Sequence, residues 1–112
     1  MGRSMVRLGG AAVLMVALGF VCTSTAQAEP AAATFKTKCA ICHSPDGSGS
    51  GPTGKALGVP DLRSDVVQKL SDADLLGVVT NGKNNKMPSY KDKLSADQIK
   101  DLVSVIRDLA KK

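Results

Sequence analysis

Two cysteines three positions apart, followed at once by the chain's only histidine, make up the stretch Cys39-Ala40-Ile41-Cys42-His43. On a helical turn, side chains at i and i+3 share a face, so both thiols point the same way. Thiols so placed can add to the two vinyl groups of one porphyrin, and the next residue then falls beneath the iron as proximal ligand. C-x-x-C-H is the spacing that attaches a haem of the c type. Two other uses of the pattern fit less well. A thioredoxin-like dithiol needs βαβ units, and the sequence shows no strand pattern. A closed zinc site needs four nitrogen or sulfur ligands, and Cys39, Cys42 and His43 offer three, with no second cysteine pair beyond them.

A haem iron has a second axial position, and the composition narrows what can fill it. The methionines are Met1, Met5, Met15 and Met87. The first three lie in a segment that reads as a secretory signal peptide, residues 1–28. Arg3 and Arg7 form its positive end, Leu8 to Val21 its apolar run, and Ala26-Gln27-Ala28 its cleavage site. The apolar run of 14 residues is shorter than the roughly 20 that span a bilayer. Cys22 follows Gly19-Phe20-Val21, which lacks the small residues of a lipid-acceptor site, so this cysteine is expected to leave with the leader. The mature chain, residues 29–112, would hold one histidine, two cysteines and one methionine. Met87, in the turn-like stretch Asn84-Asn85-Lys86-Met87-Pro88-Ser89-Tyr90, is then the candidate sixth ligand. The plainer use of such a methionine is as a gap-filler in the core.

With C-x-x-C-H near the mature N-terminus and a Gly…Met-Pro loop before a C-terminal helix, the chain resembles the small, single-haem class I c-type cytochromes. The likeness runs from about Pro30 to Leu109. It implies an all-α fold of three to four short helices wrapped around one covalently attached haem c, bound through Cys39 and Cys42. His43 and Met87 would be the axial ligands, a pairing that raises the reduction potential. Similar cytochromes wrap the proximal side of the haem in a loop rich in glycine and proline, matched here by Ser44 to Pro60. Pro52 stands where a proline carbonyl accepts the histidine's ring N–H, a bond that fixes tautomer and orientation. Relatives often carry an aromatic residue where this chain has Val105, a departure expected to loosen the packing of the first and last helices.

The positioning elements follow from periodicity and caps. Residues 31–42 read as the first helix, with Ala32, Phe35 and Cys39 on one face and Lys36 and Lys38 in solvent. Ser44 to Pro60 is expected to lack regular structure. Leu62 to Leu70 reads as a short helix with Val66, Val67 and Leu70 inward. Ser71-Asp72-Ala73-Asp74 opens a helix carrying Leu75, Leu76, Val78 and Val79, which Asn81-Gly82 stops. Ser95-Ala96-Asp97-Gln98 is a capping box for the last helix, whose stripe is Ile99, Leu102, Val103, Ile106, Leu109 and Ala110.

Removing 28 of the 112 residues leaves 84, with Phe35 and Tyr90 the aromatic residues and no tryptophan. So small a core is marginal unaided, and a covalently held porphyrin would be its largest apolar body. The full chain carries +5; without Arg3 and Arg7, 13 basic residues face 10 acidic ones, or +3. No basic tract interleaved with aromatics suggests nucleic acid. The expected protein is a monomeric, non-enzymatic electron carrier of the bacterial periplasm, passing one electron between redox-protein donors and acceptors, acidic or membrane-bound complexes among them. Lys36, Lys38, Lys83, Lys86, Lys91 and Lys93 bracket the iron-binding segments as an expected docking face. The alternatives are a haem subunit of a larger oxidase or dehydrogenase complex, or a sensor or peroxidase-like protein in which Met87 detaches.

Overall fold

The longest apolar periodicity of the sequence becomes the longest helix. In the computed structural model, which describes residues 2, 9–21 and 29–112, Ala96–Leu109 form an amphipathic helix (α5). Its Ser95 hydroxyl accepts from the Gln98 N–H at 3.1 Å, and the Gln98 side chain accepts from the Ser95 N–H at 2.8 Å, so two orphan donors of the first turn are satisfied reciprocally. Ile99, Leu102, Val103, Ile106 and Leu109 are buried. Ala110, assigned to the same stripe, lies past the helix end and is exposed. A second capping box, Ser71 with Asp74, opens Asp72–Asn81 (α4), which buries Leu75 and Val79 and stops at Gly82.

The first helix (α1) runs from 31 to 43 in three contiguous pieces: Ala31–Thr34 α-helical, Phe35–Cys39 π-helical and Ala40–His43 α-helical again. Phe35 and Thr34 are buried and Ala31 packs on the core, whereas Ala32 is exposed. The inward face therefore passes through Ala31, Thr34 and Phe35 rather than Ala32. The i→i+5 turns of the π segment rotate the cysteines relative to the residues before them. α5 crosses the opening turn of α1 and also packs on α4. Val105 joins the core's edge and Phe35 is only 3 % exposed, so the smaller residue leaves the crossing closed.

Two short helices complete the set, making five helical segments among the described residues where three to four were expected. Pro52–Leu57 (α2) lies inside the stretch read as irregular. Its proline occupies the first turn, where the missing N–H is harmless, and Gly58 ends it at φ 65°. Asp65–Gln68 (α3) is one turn long and so presents few residues inward: Val67 is buried and Leu70, just past the helix, is part-exposed but lines the central cavity, whereas Val66, expected beside them, is exposed. Among the described residues, β structure is limited to an isolated bridge between Lys83 and Met87. No helix of the described residues is long and apolar enough to cross a membrane. Residues 9–21 are exposed and irregular. Arg3, Arg7, Leu8, Cys22 and Ala26-Gln27-Ala28, on which the leader and its cleavage were argued, fall outside the described residues.

One side chain ties α5 to the α3–α4 junction. Arg107, mostly buried, donates to the Gln68 carbonyl at 2.9 Å, the Leu70 carbonyl at 2.6 Å and the Asp72 carboxylate at 2.9 Å. Gln68 in turn donates to the carbonyls of Leu62 and Ile106. Arg107→Ala strands several of these acceptors and is expected to cost about 1–3 kcal/mol in a urea melt. Lys111→Ala, which removes only an exposed ion pair with Asp108, should stay within about 0.5 kcal/mol. Equal losses in the two variants would contradict this account of the junction.

Candidate metal centre

The core is built around a cavity of about 270 Å³. Of the buried apolar residues, only Ile99, Val103 and Leu109 do not line it. Its lining is apolar, and side chains facing such a space lack the packing partners a closed core would give them. The cleft is suited to an apolar occupant.

Cys39, Cys42 and His43 all reach this cavity from the end of α1. Both cysteines are free thiols, partly buried, and burial pushes the Cys39 thiol above its ordinary pKa, against a smaller pull from Lys38. Burial likewise pushes the His43 imidazole below its usual value, which keeps it neutral at pH 7 with a lone pair to donate. His43 Nδ1 is buried and has no hydrogen-bond partner among the described residues. Pro52, whose carbonyl was expected to meet it, is exposed at the start of α2. That bond is absent from the structure, because the Pro52 carbonyl belongs to the first turn of a helix rather than to an open loop.

The chain reverses immediately after His43. Ser44 takes φ 64° with ψ 156°, a conformation that costs a non-glycine residue about 1–3 kcal/mol. Its hydroxyl accepts from the Gly51 N–H at 3.2 Å, its own N–H donates to the Ala40 carbonyl at 2.8 Å, and the Gly49 N–H donates to the His43 carbonyl at 2.8 Å. These bonds fold the glycine-rich stretch back under the haem-type motif. Gly54 then lets α2 approach closely: a Cβ there would collide with the carbonyls of Cys42 and Gly49. Ser44–Gly51 is thus a bonded platform for His43.

Met87 lines the same cavity from the other side. Its loop is closed by reciprocal bonds at 3.0 Å, Lys83 N–H to the Met87 carbonyl and Met87 N–H to the Lys83 carbonyl. Asn84 and Asn85, both at φ 54°, turn the chain between them; asparagine tolerates that region better than most residues. Gly82 is required at the base, since it has φ 77° and a Cβ there would lie 2.5 Å from the Met87 carbonyl oxygen. The loop also caps α4: Tyr90 N–H donates to the Val79 carbonyl, and Ser89 Oγ and Lys91 N–H to that of Thr80, satisfying carbonyls that a helix end leaves free. Tyr90 lines the cavity as well, and burial raises its pKa, so it stays a neutral donor.

Two thiols in C-x-x-C-H, a neutral imidazole and a thioether thus face one apolar cavity, the donor set a covalently attached haem requires. Four of the five sequence candidates meet there, and Pro52 does not. Ser44 and Gly54 are positioning residues that sequence reasoning missed, while Gly82, read as the stop of α4, also seats the Met87 loop. Gly54 lies inside α2 and carried no signal beyond the glycine-rich composition of its stretch.

Comparison with known proteins supplies the relationship. The family described as cytochrome c oxidase, cbb3-type, subunit III matches residues 26–104. A cytochrome c6-like protein of Nostoc sp. is 37 % identical over 78 residues, covering 70 % of this chain and 67 % of the relative. The cbb3-type cytochrome c oxidase subunit CcoP of Azospirillum brasilense is 28 % identical over 104 residues, 92 % of this chain but only 35 % of CcoP. The chain therefore spans about a third of the length of that larger relative. Among solved structures, the KustC0563 c-type cytochrome superposes with a TM-score of 0.67 at 27 % identity, covering 72 % of this chain and 98 % of its own. With its helices closed around a cavity that both thiols, His43 and Met87 face, the chain belongs to the c-type cytochrome family described by the cbb3 oxidase subunit III domain.

Proposed function

We propose that the chain is an exported single-haem electron carrier, with residues 1–28 as its leader and 29–112 as its working domain. Haem c, the cofactor of this family, supplies a one-electron iron couple when bound. In this reading Cys39 and Cys42 form the thioether links, and His43 and Met87 fill both axial positions. The observation that supports it is the convergence of two thiols, an imidazole and a methionine on one apolar cavity. Held by His43 and Met87 together, the iron would keep no place for oxygen or a small substrate, so the domain would pass electrons rather than transform molecules. A second reading, the haem domain of a larger oxidase, is favoured by the match to CcoP across 92 % of this chain. Co-purification with a membrane complex would distinguish it from a free carrier.

The rim of the cavity suggests how partners are met. Lys38, Lys83 and Lys86 are exposed and line it, while no carboxylate of the described residues does. Lys36, Lys91 and Lys93, grouped with them on sequence, are exposed away from that lining, and Lys93 lies over the Tyr90 ring at 5.5 Å. An acidic or anionic partner is the complementary one.

Replacing Met87 with Ala is expected to abolish the weak near-infrared sulfur-to-iron band of the oxidised protein. The potential should also fall by a sizeable part of the roughly 0.8 V over which axial ligands tune haem; an unchanged band would sink the Met87 assignment. Electron transfer to an anionic oxidant should slow by about tenfold or more as salt rises through the range where the Debye length passes about 10 Å. Lys83→Glu should flatten that dependence and Lys111→Glu should not. Equal sensitivity at both positions would make the rim lysines mere solubility residues.

A further inference from the structure

Two side chains flanking Met87 make bonds that iron ligation does not use. Lys86, just before it, donates from Nζ to the carbonyl of Leu57 at 3.3 Å. Tyr90, three residues after it, donates its hydroxyl to the carbonyl of Lys38 at 3.3 Å. Both acceptors belong to the His43 side of the cavity. Lys38 precedes the cysteine pair in the π-helical part of α1, and Leu57 ends α2, the helix that Gly54 seats against the Cys42 carbonyl. Leu57 is the last residue of its helix, so its carbonyl has no partner within the helix. Among the side-chain hydrogen bonds of the described residues, these two alone cross from the loop at 82–94 to that side.

The loop's other bonds do a different job. The Lys83–Met87 pair fixes the loop's internal shape, and Ser89, Tyr90 N–H and Lys91 fasten it to α4. None of these sets the separation between the Met87 loop and His43. We propose that Lys86 and Tyr90 are positioning residues, a pair of clasps that hold the Met87 loop against the two helices of the His43 side and so set how readily the Met87 sulfur leaves the iron. This rests on the reading of Met87 as axial ligand. A thioether is a neutral donor, so its contact lasts only as long as the loop stays closed. Each clasp is a single exposed hydrogen bond, and losing one shifts the open fraction by a factor of several.

The test uses full-chain holoprotein carrying Lys86→Met, Tyr90→Phe, both together, Lys86→Arg, or Lys111→Met as a surface control. Two readouts are taken on the same samples: the rate at which imidazole displaces the Met87 sulfur from the oxidised protein, and amide hydrogen exchange over residues 83–90. Each clasp variant is expected to speed both by about threefold to tenfold, and the double variant by about the product. Lys86→Arg, which can still donate, should stay near wild type, as should Lys111→Met. Wild-type rates in the single and double variants would overturn the clasps. A wild-type spectrum without His/Met character would instead overturn the axial assignment. Amide exchange would then still decide the clasps: acceleration in Lys86→Met and Tyr90→Phe upholds them, and no change removes them.

Discussion

An apolar cavity of about 270 Å³ at the centre of a chain this short is the constraint on which the rest of the structure depends. The packing that a larger domain would complete with its own side chains is here left to face a common space. Phe35, Leu75, Val79, Leu102 and Ile106 are buried against one another and against that space at once. Residues 29–112 have two aromatic residues and no tryptophan, so the polypeptide lacks the bulk to close the volume itself. A porphyrin held at Cys39 and Cys42, as proposed, would resolve the conflict between a small chain and a need for buried apolar area.

The same constraint explains why so much of the chain is irregular yet fixed. The proximal side is a platform: the strained turn at Ser44, the bonds from Gly49 and Gly51, and α2 drawn in at Gly54. The opposite side is a loop that caps the end of α4 with its own N–H groups and keeps its shape through Lys83 and Met87. Helices α4 and α5 supply the rigid frame, each started by a capping box, and Arg107 locks the frame at the α3–α4 junction. Regular structure thus carries the load while short, bonded loops back His43 and bring Met87 to the cavity.

What the sequence disclosed was local. Capping boxes at Ser71 and Ser95 act within four residues, and both form as the pattern predicts. The meeting of Cys39, Cys42 and His43 at one cavity follows their spacing, and Met87, which faces it from the other side, stood out as the one methionine beyond residue 28. Contacts between distant segments were not legible. Nothing in Pro52–Leu57 distinguishes a six-residue helix from a proline- and glycine-rich loop until Gly54 is seen against the Cys42 carbonyl. The orphaned His43 Nδ1 and the choice of Val67 over Val66 depend on how elements sit together. The bonds from Lys86 to Leu57 and from Tyr90 to Lys38 span 29 and 52 residues, and lysine and tyrosine on a loop read as solubility and packing.

The central claim is that the covalently held haem serves as the core of the domain. It is tested most directly by far-ultraviolet circular dichroism of the Cys39→Ser, Cys42→Ser double variant prepared without haem. The account predicts a largely unstructured chain with no cooperative transition on heating, since most of the buried apolar side chains would then lack the body they pack against. A helical spectrum with a sharp, cooperative melt would contradict it and show that the polypeptide packs a sufficient core of its own.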